Sequence, residues 1–209
     1  MNELSHSPLP ATNQQQNPTL TPASPPAETE AAALSALQNG YRHIDSAQMY
    51  RNEVGCSSAI SKSKIPRSEI FLTSKINTLT TLGYEASATS ITESLEKTGL
   101  DYFDLFLIHA PKGNVTDRNG CWKALVEAQA AGKIRDIGVS NYGLHHLREL
   151  EVYMKELEKE RGNGGKISVA QYELHPWCGR AEIVEWLRQR DVVIQVTPET
   201  LQMVERYVG

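Results

Sequence analysis

Along the chain, stretches with apolar residues at helical spacing alternate with short runs that are apolar throughout. Residues 31–38, rich in Ala and Leu, stop at Asn39-Gly40, a pair that closes helices, and 41–45 then reads as a strand. A helix over 53–63 leads past Pro66 into a strand at 70–75, and a helix over 84–97, closed by Gly99, leads into a strand at 103–109. Next come a helix over 121–131 closed by Gly132, a strand at 137–140, a charged helix over 144–161 and a strand at 167–171. A helix over 181–190 and a strand at 192–196 complete the series. Each helix feeds a strand through a loop of a few residues, which predicts an α/β fold of parallel strands joined by crossover helices. Trp122, Leu125 and Val126 share one helical face and are expected in the core. The mixed charges of 149–161 read as a solvated face.

Residues 1–29 break the pattern. They hold six of the ten prolines together with Ser, Thr, Asn and Gln, a composition that buries too little apolar surface to offset its ordering entropy. A disordered tail over 1–29 is therefore expected ahead of a single domain over 30–209.

Polar residues interrupt the C-terminal ends of the strands: Asp45, Lys75, His109, Ser140 with Asn141, and Gln171, separated by 30, 34, 31 and 31 residues. One strand-helix unit separates each from the next, and parallel strands bring equivalent ends to one rim. Singly, each has a structural reading: Asp45 as a turn cap, Lys75 as a snorkelling strand-end lysine, His109 as a core histidine satisfied by backbone. Together, at one level of one sheet, they carry a large desolvation cost unless they pair with each other or serve a ligand.

With Tyr50 beside them, the available chemistry is proton transfer to an oxygen next to a polarised carbonyl. A nearby ammonium at Lys75 favours phenolate and makes Tyr50 a usable general acid, Asp45 holds Lys75 charged, and His109 can donate a hydrogen bond to the developing oxyanion. No reductant is in this set. Ser140, Asn141 and Gln171 offer a hydroxyl and two amides, a suitable surround for the carboxamide of nicotinamide. The chain has no G-x-G-x-x-G or Walker sequence, so a dinucleotide would lie in an extended groove at the rim.

Composition narrows the setting. Across 209 residues, 21 Lys and Arg face 25 Asp and Glu, and a net charge of -4 gives no electrostatic reason to expect a nucleic acid or an anionic membrane as partner. Cys56, Cys121 and Cys178 are odd in number and far apart, which fits neither a disulfide framework nor a paired-cysteine zinc site and points to a reducing compartment. The longest strongly apolar run, 105–108, is too short to span a bilayer, and the N-terminus lacks a basic start with an apolar stretch. The first basic side chain is Arg42, which argues against an Arg-rich transit peptide, and a cytoplasmic location is expected.

Five stretches carry a resemblance: Gly40-Tyr41-Arg42-His43-Ile44-Asp45-Ser46-Ala47 with Tyr50 and Asn52-Glu53; Thr73-Ser74-Lys75; Asp104-Leu105-Phe106-Leu107-Ile108-His109; Gly138-Val139-Ser140-Asn141-Tyr142; and Gln171-Tyr172-Glu173-Leu174-His175-Pro176. Over about 30–197 the chain resembles the aldo-keto reductase superfamily, NADPH-dependent carbonyl reductases on a (β/α)8 TIM barrel. The resemblance implies that Asp45, Tyr50, Lys75 and His109 are the catalytic set, with Tyr50 as proton donor. It also implies that Ser140, Asn141 and Gln171 hold the nicotinamide of NADPH (NADP+), and that the substrate is a small carbonyl compound.

The chain departs from the family at several places. Members normally start with a β-hairpin and a first strand bearing a Gly-rich turn, where this chain has its Pro- and Gln-rich tail. They continue through an eighth strand and a basic loop for the cofactor's 2'-phosphate, whereas this chain stops at Gly209. Thr197-Pro198-Glu199 stands where an aromatic usually stacks on the nicotinamide, and Ala110 replaces a frequent aromatic after the histidine. The expectation is an incomplete barrel of about six of eight strands, truncated at both ends, whose two exposed edges could pair with a second copy and whose grip on NADPH is weakened. Two alternatives stand beside the reductase: an inactive fragment serving as a binding subunit or a truncated gene product, and a metal-dependent barrel hydrolase drawing on His43, Asp45, Lys75, His109 and His175.

Overall fold

The computed structural model describes residues 25–197. The first 24 residues of the expected tail, and Pro198 and Glu199 of the altered stacking position, lie outside the described residues. Six strands, β1 (His43–Asp45), β2 (Phe71–Ile76), β3 (Phe103–Ile108), β4 (Ile134–Ser140), β5 (Val169–Tyr172) and β6 (Val193–Val196), form one sheet in sequence order. Every neighbouring pair is parallel. Helices α1 (Pro26–Gln38), α2 (Glu53–Ser63), α3 (Tyr84–Thr98), α4 (Val115–Ala130), α5 (Leu144–Arg161) and α6 (Ala181–Arg188) alternate with the strands. This is the expected α/β architecture, an incomplete TIM-type barrel curled around its concave face.

Strand alternation assigns the two faces. Ile44, Phe106, Ile108, Ile137, Val139 and Ala170 point toward the helices and join Leu37, Ile60, Ile91, Trp122, Leu125, Leu147 and Leu187 in the main core. Leu105, Leu107 and Val169, with Phe71 against them, form a second small cluster on the concave side. Asp45, Thr73, Lys75 and Gln171 share that inner phase, Thr73 in register with Leu105 and Lys75 with Leu107, so polar and apolar side chains line the concave side together. The curl is tight enough for side chains of the first and last strands to meet: Gln195 Nε2 of β6 lies 3.4 Å from His43 Nε2 of β1.

Strand starts other than that of β3 differ from the sequence reading by one to three residues, and two helices begin five or six residues earlier than expected. Helix α4 begins at Val115 rather than at 121, because Asn114 accepts from Asp117 N and Asp117 accepts from Asn114 N, a reciprocal cap that starts a helix before its apolar stripe does. Helix α1 begins at Pro26, so residues 26–29 are helical rather than part of the tail. Proline suits the first helical turn, where its missing N–H is not needed, and Thr29 is fully buried against α2 at Gly55. A Cβ at Gly55 would lie 2.5 Å from Pro26 O, so the two helices touch backbone to backbone.

Candidate active site

The site is built on strand ends that the fold brings to one rim. Lys75, at the end of β2, has only 1% of its side chain exposed, and its Nζ lies 2.6 Å from Asp45 Oδ1 and 2.9 Å from the carbonyl oxygen of Ser46. A buried ammonium requires such partners, and these two fix its position between β1 and β2. The same Nζ lies 5.3 Å from the ring centroid of Tyr50, within cation-π range. The Tyr50 ring meets His109 edge-on at 5.6 Å between centroids. Asp45, Tyr50, Lys75 and His109, spread over 64 residues of sequence, are thus contiguous in space.

Tyr50 is carried by a short helical turn, Gln48–Tyr50, that secondary contacts tie down. Gln48 donates to Ser90 O and Ser94 Oγ at 3.0 Å and accepts from Asn77 N at 2.9 Å. Behind the turn, the buried carboxylate of Glu53 accepts from Ser74 Oγ at 2.6 Å and pairs with Lys97 Nζ at 2.5 Å. Ser46 Oγ donates to Asn52 Oδ1 at 2.6 Å. The Asn52-Glu53 pair therefore anchors the segment that positions the tyrosine, rather than facing the pocket itself.

His109 follows β3 directly. Burial pushes its pKa down to about 4, helped by the Lys75 charge and opposed by Asp45, so the ring is neutral near pH 7. Its Nδ1 is buried and has no hydrogen-bond partner among the described residues. Its carbonyl oxygen accepts from Asn141 Nδ2 at 3.2 Å.

Ser140 ends β4 and Gln171 lies in β5 beside it in register. Asn141 adopts the left-handed region at φ 60°, which turns its amide back so that Nδ2 reaches Ser140 Oγ at 3.1 Å. Gln171 Nε2 donates to Asp45 Oδ2 at 2.9 Å and to Gln195 Oε1 at 3.1 Å. These contacts join the amide group of the predicted set to its ionic group. Gln195 was not among the predicted site residues; a glutamine within the otherwise apolar run Val192-Val193-Ile194-Gln195-Val196 was the signal. His43 entered as a candidate only in the metal alternative, and it lies 2.9 Å from Thr73 Oγ1 through Nε2.

The metal alternative gains nothing from this geometry: among the described residues no group of three His, Cys, Asp or Glu is arranged to hold a metal ion. His175 sits in the loop after β5, with Nε2 3.1 Å from Glu173 Oε1. No described helix is long and apolar enough to cross a membrane.

The curled parallel sheet thus gathers at its rim a carboxylate, a buried ammonium, a tyrosine and a neutral histidine. The sequence model of the Aldo/keto reductase family matches residues 12–202, and the chain belongs to that family. It is 43% identical over 166 residues to an oxidoreductase of Schizosaccharomyces pombe, covering 77% of this chain and 55% of the relative. It is 37% identical over 176 residues to glyoxal reductase of Bacillus subtilis, covering 84% of this chain and 59% of that protein. The crystal structure of an aldo/keto reductase from Brucella melitensis superposes with a TM-score of 0.73 at 32% identity, covering 88% of this chain and 72% of that one. The chain thus spans little more than half the length of the curated relatives it matches.

Proposed function

We propose that this protein reduces an aldehyde or ketone to the alcohol with NADPH, the proton coming from Tyr50. NADPH, when bound, supplies the hydride to the carbonyl carbon. The observation that carries the reading is the buried Lys75 ammonium, held 2.6 Å from Asp45 and 5.3 Å from the Tyr50 ring centroid. A positive charge beside the ring favours the phenolate, the electrostatic condition for Tyr50 to serve as proton donor. Asp45 and the Ser46 carbonyl oxygen hold Lys75 in place.

His109, neutral near pH 7, donates a hydrogen bond to the substrate oxygen as charge builds on it. The unpartnered Nδ1 favours the tautomer with the proton on Nε2, since a buried N–H without an acceptor is the costlier arrangement. Ser140, Asn141 and Gln171 are the residues that would hold the nicotinamide carboxamide. They fit it chemically: both hydrogens of Gln171 Nε2 are committed to Asp45 and Gln195, which leaves Oε1 to accept, and Ser140 adds a hydroxyl. A cytoplasmic setting belongs to the same reading and suits the free thiols Cys56, Cys121 and Cys178.

The test is NADPH consumption by the full chain with a generic aromatic aldehyde, comparing it with Tyr50→Phe. Loss of the proton donor is expected to lower turnover by about 100- to 10,000-fold. Equal turnover by both forms would remove Tyr50 from the reaction, and no consumption by the unsubstituted chain would overturn the reductase reading.

A further inference from the structure

We infer that His43 and Gln195 are positioning residues that act with Asp45 to hold the Gln171 side-chain amide with its NH2 turned inward and its oxygen left for a ligand. The argument starts from a group with no choice. An ionised carboxylate only accepts hydrogen bonds, so Asp45 Oδ2, 2.9 Å from Gln171, requires the NH2 end of that amide. The same nitrogen is 3.1 Å from Gln195 Oε1, which places the oxygen end of Gln195 toward Gln171. Its nitrogen end then meets His43 Nε2 at 3.4 Å. For that contact to be a hydrogen bond, His43 Nε2 must carry the lone pair and Nδ1 the proton. The Thr73 hydroxyl, 2.9 Å from the same nitrogen, is then the donor of the pair.

The chain reads equally well backwards. Were His43 to carry its proton on Nε2, either that proton would go to Thr73 Oγ1 with the Gln195 NH2 facing a donor, or Gln195 would turn its oxygen there and set NH2 against the NH2 of Gln171. If Gln171 turned as well, its carbonyl oxygen would face the Asp45 carboxylate. Each of these arrangements sets like against like in a partly buried site, where an unsatisfied polar group carries a cost. Burial lowers the pKa of His43 and keeps the ring neutral; the charges acting on it are Asp45 on its own strand, which opposes the shift, Lys75 of β2, which adds to it, and Asp104 of β3, which opposes it. The residue facing it from β6 is the uncharged Gln195.

The consequence for binding rests on the reductase reading above. With its NH2 occupied, Gln171 offers Oε1, an acceptor matched to the NH2 of the nicotinamide carboxamide. A ligand with methyl in place of that NH2 has nothing to give it. NADP+ and its 3-acetylpyridine analogue differ in that group, so their affinities for the full chain report which end of Gln171 is presented.

Calorimetric titration should show the unsubstituted chain binding NADP+ about tenfold more tightly than the analogue, the size expected for one hydrogen bond. Gln195→Leu, which removes one of the two acceptors that hold the Gln171 NH2 and leaves Asp45 alone to do so, should weaken that preference by about twofold or more. Gln195→Glu keeps an acceptor for Gln171 and should preserve it. Preference unchanged in Gln195→Leu, or absent from the unsubstituted chain, would overturn the inference. A second measurement needs neither a variant nor a cofactor: nitrogen-15 shifts of the His43 ring near pH 7 should identify Nε2 as the unprotonated nitrogen, and a protonated Nε2 would overturn it. If the unsubstituted chain binds neither dinucleotide, the reductase reading falls, while the ring shifts still decide the orientation of the amides.

Discussion

The most consequential side chain is Lys75, because a buried ammonium is tolerable only with the partners it has. Lys75→Met fills similar volume but leaves the Asp45 carboxylate, 12% exposed, with the Gln171 amide as its principal contact. Removing one member of a buried pair is expected to destabilise the fold by about 3–5 kcal/mol, read as a shift in the urea midpoint. A loss below about 1 kcal/mol would mean that water reaches the pair and that its burial does not control the site.

The two inner histidines make stability depend on pH at the same scale. Burial lowers the pKa of both His43 and His109, the latter to about 4, so the folded state binds fewer protons than the unfolded chain below the ordinary histidine range near 6.5. Stability is therefore fully present above about pH 7 and falls as pH drops from about 6.5 toward 4. For His109 the contribution is at most about 3 kcal/mol at the acid end of that window. Chemical denaturation at pH 7 and at pH 5 checks this: His109→Phe should flatten the slope, and a slope unchanged by that substitution would remove His109 as its source.

Among the elements, the β4–β5 pairing controls where Ser140 and Asn141 stand. Gly138 is required by close approach rather than by turn geometry, since a Cβ there would come within 2.0 Å of Val169 O on β5. Gly138→Ala must push the two strands apart, at a cost of about 1–3 kcal/mol or more. It should also weaken dinucleotide binding, because Ser140 lies two residues on and is in register with Gln171. Helix α4 offers a milder test. Asp117→Ala removes half of the reciprocal cap with Asn114 and should cost about 1 kcal/mol with no effect on ligand binding. That cap also explains why the helix start was missed in the sequence: Val115–Gly120 precedes the apolar stripe of Cys121, Trp122, Leu125 and Val126, and periodicity is silent where a helix begins by capping.

At the scale of the whole molecule, β1 and β6 are the outer strands of the described sheet, each paired on one side only. Val193 and Val196, on opposite faces of β6, are exposed, and the unpaired backbone edge of that strand in the described sheet invites a further strand. Sedimentation is expected to show concentration-dependent association with a second copy; a single monomeric species throughout the micromolar range would argue that these edges are covered.

Periodicity and spacing alone determined that the chain is a parallel α/β unit, because apolar runs of strand length and helical stripes each have their own repeat and alternate without exception between 30 and 197. They also determined that Asp45, Lys75, His109, Ser140 and Gln171 share a rim, since a regular strand-helix repeat carries equivalent strand ends to the same level. Only the tertiary structure decided that Gln171 bonds to Asp45 across 126 residues, and that Gln195 meets His43 across 152. Those contacts depend on how strongly the sheet curls, a quantity set by side-chain packing on its two faces together, which no local pattern in the sequence records.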